Sequence, residues 1–155
     1  MRALIKKRVF DPLQSVLKQG LSRNELALTL AMGVVLATFP VFGVTTLLCM
    51  LVAAGLRLNQ VVIQVANYIG YPLQFVLFIP LIRAGENILG LPPVSIHPEK
   101  VFDLLWSQPM NFLELYGVAI AAACLFWIMI AIPVIFLLKH LLLLFIPARL
   151  DADAA

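Results

Sequence analysis

The stretch from Leu26 to Leu56 contains no charged residue, and Pro40 and Gly43 interrupt it near its middle. About 20 apolar residues already suffice to cross a bilayer, so an uncharged run of this length predicts a membrane segment. A break inside the hydrocarbon frees backbone N–H and C=O groups that lipid cannot satisfy. We therefore predict an all-α integral membrane protein in which other parts of the protein, or a wet cavity, shelter this break.

The length of this stretch leaves two arrangements open. Its first half, Leu26 to Phe39, would make about 14 residues or roughly 21 Å of helix, too short for a hydrocarbon core of about 30 Å. The whole run would be about 46 Å long if it were straight. A re-entrant hairpin that turns at Pro40 to Gly43 fits these lengths better than the alternative, one long kinked helix whose first turns lie in the interface. Ser22 and Glu25 predict a capping box at the start of the segment.

A second uncharged segment, Gln60 to Ile82, carries a polar stripe. The stripe residues are three or four positions apart and share one face if the chain is helical; they are Gln60, Gln64, Asn67, Tyr71 and Gln74. Amides are costly against lipid, so the stripe should face a helix partner or a solute-lined cavity. Proline and glycine predict a second break here as well. The residues assigned to bends and breaks in the two segments are Gly33, Pro40, Gly43, Gly70 and Pro72.

The composition agrees with a membrane protein, because 63% of the residues are hydrophobic and 12% are charged. Soluble domains have roughly 45–50% apolar and about 25% charged residues. The chain divides into a basic amphipathic N-terminal segment (1–21), a core with two broken hydrophobic segments (22–90), a polar loop (91–114) and a C-terminal transmembrane helix with its flank (115–146). Together they form a small helical bundle, a single membrane domain spanning 1–155.

Three helical pieces are predicted after the core. Pro98 opens a short helix through Trp106, whose apolar side chains suit the membrane interface. Leu115 to Leu138 is long enough to span the membrane, with a kink at Pro133, and Leu141 to Ile146 predicts a further interfacial helix. Small side chains in the spanning segment allow another helix to approach closely; they are Ala119, Ala121, Ala122 and Ala123.

The few charges predict a topology. Six basic residues lie before Leu26, against only Asp11 and Glu25, while the region from Arg83 to Glu114 is net acidic. Basic flanks stay in the cytoplasm, so we predict that both ends of the chain are cytoplasmic. The basic N-terminus can also contact anionic headgroups, and its charge is a topology signal rather than a nucleic-acid-binding surface.

Five short motifs resemble a bacterial inner-membrane family, the domain of unknown function 2062. They are Ala31-Met32-Gly33, Pro40-Val41-Phe42-Gly43-Val44-Thr45, Arg57-Leu58-Asn59, Asn67 to Pro72 and Gly85 to Gly90. The match extends from Ala27 to Gly90, and Tyr68 and Gly70 stand where the family usually has proline and threonine. The resemblance implies a small multi-span protein of the bacterial inner (cytoplasmic) membrane and no particular reaction. The two broken segments are more loosely similar to the hairpins of DedA-type membrane proteins, at the level of fold alone.

Enzymatic chemistry is not indicated, and neither a cofactor nor a metal is expected. No carboxylate is paired with a histidine, and no nucleophile has a neighbouring base. His97 stands alone beside a proline. Cys49 and Cys124 lie inside apolar runs without metal-ligand spacing, so we predict small buried residues there.

Two functions are compatible with the sequence. The first is transport or flipping of a polar or anionic solute or lipid carrier, because broken helices bring N-terminal helix ends into the membrane. Its predicted polar site consists of Thr45, Thr46, Arg57, Asn67 and Gln74, and Arg83 is a further cation that would attract a phosphate. The alternative is a non-catalytic assembly or scaffold subunit, in which the polar stripe binds a partner chain or a second copy.

Overall fold

The computed structural model describes residues 21–146, and every regular element in this part of the chain is an α-helix. The helices are α1 (Arg23–Ala37), α2 (Thr45–Leu56), α3 (Gln60–Leu89), α4 (Pro98–Ser107) and α5 (Pro109–Phe145). The predicted all-α architecture is confirmed. The predicted amphipathic helix before Leu21 and the basic flank at Arg149 lie outside the described residues.

Helix α1 begins at the predicted capping box. The Ser22 hydroxyl accepts a hydrogen bond from the Glu25 amide at 3.3 Å, and the Glu25 carboxylate accepts one from the Ser22 amide at 3.1 Å. These two bonds satisfy backbone donors that the first turn of a helix leaves unpaired. The helix ends at Ala37, before the proline of the break, and the next helix starts only at Thr45.

Helix α1 runs in the same direction as the first half of α3. A Cβ atom added to Gly33 would lie 2.5 Å from the Cβ of Ala66, and one added to Gly70 would lie 2.7 Å from the Cβ of Ala37. Later residues of α1 therefore meet later residues of α3. The absence of side chains at the two glycines lets the backbones approach this closely.

Helix α2 runs in the opposite direction against the same half of α3. The Gln60 side chain donates to the Met50 carbonyl at 2.9 Å, and the Gln64 side chain donates to the Thr46 carbonyl at 3.1 Å. The chain therefore reverses between α1 and α2, which form a helical hairpin, 23–56. The alternative of one long kinked helix is wrong.

The predicted second break is also wrong, because α3 is continuous over 30 residues. Gly70 and Pro72 both lie inside it. Gly70 provides the close contact with α1, and Gly33 does the same from within α1, so neither glycine marks a bend. Proline removes one backbone hydrogen bond and costs about 3 kcal/mol in a helix interior. Long helical flanks and the contacts with α1 and α2 outweigh that loss.

Helix α5 is longer than the predicted span. It begins at Pro109, continues through Pro133 and includes the predicted interfacial segment up to Phe145. The predicted polar loop 91–114 therefore contains all of α4 and the first six residues of α5. Helices α3 and α5 are the two described helices that are long and apolar enough to cross a membrane; their most apolar 18-residue stretches have mean hydropathies of 1.5 and 2.7.

Helix α5 packs antiparallel to α3. A Cβ atom on Gly85 would lie 2.6 Å from the backbone of Ala122 and Ala123, so the small-residue patch allows the predicted close approach; Ala119 is buried as well, whereas Ala121 is exposed. Near the C-terminal end of α5, the Leu143 carbonyl accepts a hydrogen bond from the side chain of Arg23 at the start of α1.

A buried carboxylate fastens the loop that follows α3. Glu86 is 2% exposed; it accepts hydrogen bonds from the Arg83 guanidinium at 2.7 Å and from the Val94 amide at 2.8 Å. Arg83 also donates to the Val94 carbonyl at 3.0 Å. The prediction that Arg83 attracts a phosphate is therefore replaced by a structural role, since its guanidinium already holds this loop.

Candidate functional site

The polar stripe of α3 faces the hairpin. The Gln60 and Gln64 amides donate to carbonyls of α2, as described above, and the Gln74 amide donates to the carbonyls of Phe39 at 2.7 Å and Val41 at 3.4 Å. The stripe therefore contacts another part of the same chain, as its cost against lipid predicted.

The break between α1 and α2 is sheltered by α3 and α5. Gln74 pairs with two of its carbonyl groups. Thr38 donates its hydroxyl to the Val35 carbonyl at 2.7 Å and accepts the indole N–H of Trp127 at 3.0 Å. The Phe39 ring meets the Trp127 ring edge-on, with centroids 5.1 Å apart. Other parts of the chain therefore cover the break from Thr38 to Pro40, whereas Phe42 and Gly43 are exposed.

Five polar side-chain atoms along this interface are buried and have no hydrogen-bond partner among the described residues. They are Thr45 Oγ1, Gln64 Oε1, both Asn67 amide atoms and Gln74 Oε1. Thr45, Asn67 and Gln74 are themselves 0% exposed. An unsatisfied buried polar group costs about 1–3 kcal/mol, and native proteins almost always satisfy such groups with protein, water or a ligand. The cluster is therefore a candidate binding site.

The start of α2 lies at this cluster. Gln64 contacts Thr46, and Asn67 is nearly one turn further along α3 toward the break. Because α2 is antiparallel, the pairs Gln60–Met50 and Gln64–Thr46 place Asn67 opposite Gly43, two residues before α2 begins at Thr45. No side chain caps this end of α2, and the amide groups of a first helical turn have no acceptor within the helix.

The predicted site residues are only partly brought together. Thr45, Asn67 and Gln74 line the interface between the hairpin and α3, and Thr46 contributes its backbone carbonyl. Arg57 is exposed at the far end of α2, about 18 Å from Thr45 along the helix axis. It caps that end in a left-handed conformation, with φ 55°. Arg57 is therefore not part of the same site.

Sequence reasoning missed two contributors to the site. Gln64 is part of the predicted stripe but not of the predicted polar site, although its spacing places it on the same face of α3 as Asn67. Trp127 gave no local signal, because only the packing of α5 against the break brings its indole to Thr38. A buried tryptophan needs an acceptor for its N–H, but the sequence does not say which one.

The cluster consists of neutral amide, hydroxyl and peptide groups. Among the described residues, no group of three or more His, Cys, Asp or Glu side chains could hold a metal ion. Both cysteines are free; Cys49 is buried, as predicted, and Cys124 is partly buried. The site can therefore bind a guest through hydrogen bonds and helix dipoles.

Comparison with known proteins yields a family and no closer relative. No curated protein and no solved structure matches the chain. The family's sequence model matches residues 6–149, so the similarity extends well beyond the motifs between Ala27 and Gly90. The chain belongs to DUF2062, a family of uncharacterised proteins conserved in bacteria.

Proposed function

We propose that the chain is an integral protein of the bacterial inner membrane and that its hairpin, 23–56, enters and leaves the membrane on the same side. The lengths support this arrangement. Helix α3, at 30 residues, is about 45 Å long and can span. Gln74 lies at its middle and pairs with Phe39 and Val41, so the break of the hairpin lies at about half the depth of α3.

In this arrangement α3 crosses outward and α5 crosses back. Both ends of the chain are then cytoplasmic, as the basic flanks favour. Helix α4 lies on the outer side, where its exposed Phe102, Leu105 and Trp106 suit the membrane interface. The lipid bilayer is the first partner of this protein, and its anionic headgroups are partners for the basic N-terminus.

We propose transport of a small polar solute as the function. The observation that carries the proposal is the buried, unpartnered group of Thr45 and Asn67 beside the broken segment. Broken helices place their ends and unpaired backbone groups near the middle of the membrane, where transporters bind substrate. Both side chains are fully covered, which favours a small solute over the headgroup of a lipid carrier. Flipping of a carrier would require the hairpin to move away from α3.

Cysteine labelling tests both the topology and the site. We expect cysteines at positions 22 and 57 to react with a membrane-impermeant maleimide from the cytoplasmic side, and one at 99 from the outside. A cysteine at 67 should react slowly with a small water-soluble thiol reagent from one side only. Labelling of 22 and 57 from opposite sides would contradict the re-entrant hairpin. A cysteine at the lipid-exposed position 76 should stay unreactive as a control.

The variant Asn67→Leu tests transport directly. Asn67 makes no side-chain hydrogen bond to the described residues, so the substitution should not weaken the fold, whereas Gln74→Leu would leave two carbonyls unpaired. We expect Asn67→Leu to abolish uptake of the transported solute by cells or vesicles, with a normal yield and, in chloride-free buffer, a normal melting temperature. Gln60→Leu, at the exposed end of the stripe, should retain most of the uptake. Normal uptake by a folded Asn67→Leu protein would refute a role for this site.

A membrane assembly subunit is the second candidate. The buried stripe faces the hairpin and is not exposed to a second copy. Gly117 and Ala121, four positions apart, are exposed on the apolar helix α5 and would allow close packing with another helix. Complete protection of position 67, together with a stable homo- or hetero-oligomer in detergent that Gly117→Leu disrupts, would favour this function over transport.

A further inference from the structure

We propose that the start of α2, together with Thr45 and Asn67, binds a small inorganic anion such as chloride. This inference deepens the proposed function, because it names the charge class of the solute that the site would hold. It rests on the location of helix α2 and on two fully buried side chains that have unpartnered polar atoms.

The first component is the backbone. The N-terminus of an α-helix carries a partial positive charge and amide groups that point toward an anion. In α2 this end has no side-chain cap. The chain enters it through Gly43 at φ 81°, followed by Val44 in the right-handed helical region. Alternation of the two hands makes successive N–H groups converge on one point, as in backbone nests that bind anions.

The second component is independent of the helix end. The Thr45 hydroxyl and the Asn67 amide are both 0% exposed and have no partner among the described residues. A hydroxyl supplies one donor, and a side-chain amide supplies two. Because the register places Asn67 opposite Gly43, two residues before Thr45, its NH₂ group and the Thr45 hydroxyl can donate to a guest that also meets the backbone amides at the start of α2.

The charges around this point favour an anion over a cation. No carboxylate occurs between Leu26 and Ile82, so no side chain would neutralise a bound metal ion, and the positive end of α2 repels one. An anion needs no basic residue here, because hydrogen bonds from neutral donors to a charged acceptor are among the stronger ones. The unpartnered oxygens of Gln64, Asn67 and Gln74 are acceptors, which water molecules bound to the anion would satisfy.

The test uses the full chain purified in detergent. We expect its melting temperature to rise with chloride and to saturate, when chloride replaces gluconate at constant sodium and ionic strength. Thr45→Val and Asn67→Leu should weaken the chloride dependence by roughly 10- to 100-fold, the loss of one or two hydrogen bonds to a charged group. Thr45→Ser should retain it, since the hydroxyl is kept, and Asn67→Asp should abolish it by repulsion.

Val76→Leu on α3 is the control, since Val76 is 71% exposed and lies outside the cluster; its chloride dependence should equal that of the unaltered protein. Identical melting in chloride and gluconate would overturn the proposal and leave water as the partner of these groups. A sodium dependence that grows in Asn67→Asp would also overturn it, in favour of a cation. Neither result would change the cysteine labelling, so transport of a different polar solute would remain testable separately.

Discussion

Replacing Trp127 with alanine is expected to lower the free energy of unfolding by about 2–4 kcal/mol, the cost of truncating a buried aromatic. Trp127 is 8% exposed; its ring meets Phe39 and its N–H bonds Thr38. The substitution leaves a cavity and loosens the break between α1 and α2. Denaturant or thermal unfolding in detergent measures the change.

The chain contains a matched control, since it has two tryptophans. Trp106 is 83% exposed on α4, and Trp106→Ala should change stability by less than about 0.5 kcal/mol, as surface substitutions usually do. The variant Trp127→Phe keeps most of the ring but removes the hydrogen bond, and should lose about 1 kcal/mol. Equal stabilities of Trp127→Ala and Trp106→Ala would show that α5 does not support the break.

The variant Gly85→Ala is expected to destabilise the packing of α3 against α5 by about 1–3 kcal/mol, the cost of overpacking a close contact. The added methyl group would lie 2.6–2.8 Å from backbone atoms of Ala122 and Ala123. Backbone cannot turn aside as the end of a flexible side chain can, so the two helices must separate. We expect a lower melting temperature in detergent and a lower yield of folded protein.

The corresponding substitution Gly117→Ala should change the stability in the opposite direction. Gly117 lies in α5, and nothing is within 4 Å of an added Cβ atom. Alanine there removes the helix-propensity penalty of glycine and should stabilise by up to about 1 kcal/mol. If Gly85→Ala and Gly117→Ala both stabilise, the close approach of α3 and α5 is not what limits stability. A destabilising Gly117→Ala would instead indicate a partner on the exposed face of α5.

The features predicted correctly from sequence are those whose cause is local. Ser22 and Glu25 are three residues apart, so their capping box follows from the first turn of a helix alone. Pro40 and Gly43 fall between two helices, because a proline without an N–H and a glycine at positive φ both suit chain that leaves a helix. The stripe of amides follows from the 3.6-residue period of α3.

The errors arose where packing outweighs local preference. Gly70 and Pro72 resemble Pro40 and Gly43 in composition, yet α3 continues through them. The two pairs differ in what surrounds them: Gly70 lies against the end of α1, and beyond Pro72 the Gln74 amide bonds to the Phe39 and Val41 carbonyls. A proline costs a helix about 3 kcal/mol and a glycine about 1 kcal/mol. These costs do not end a helix that packs against other segments along its length.

The uncharged stretch from Leu26 to Leu56, with its break, by itself determined that this chain forms apolar helices and reverses or bends near Pro40. Such a run, buried in apolar surroundings, must pair its backbone groups within the protein, and helices do so locally. Only the tertiary structure decided that a side-chain amide of α3 donates hydrogen bonds to carbonyls of the break. It also decided that Arg57 lies at the far end of α2, and that Thr45 and Asn67 keep buried polar atoms without a partner among the described residues. Those outcomes depend on the register of three helices, which long-range contacts set and which no local pattern encodes.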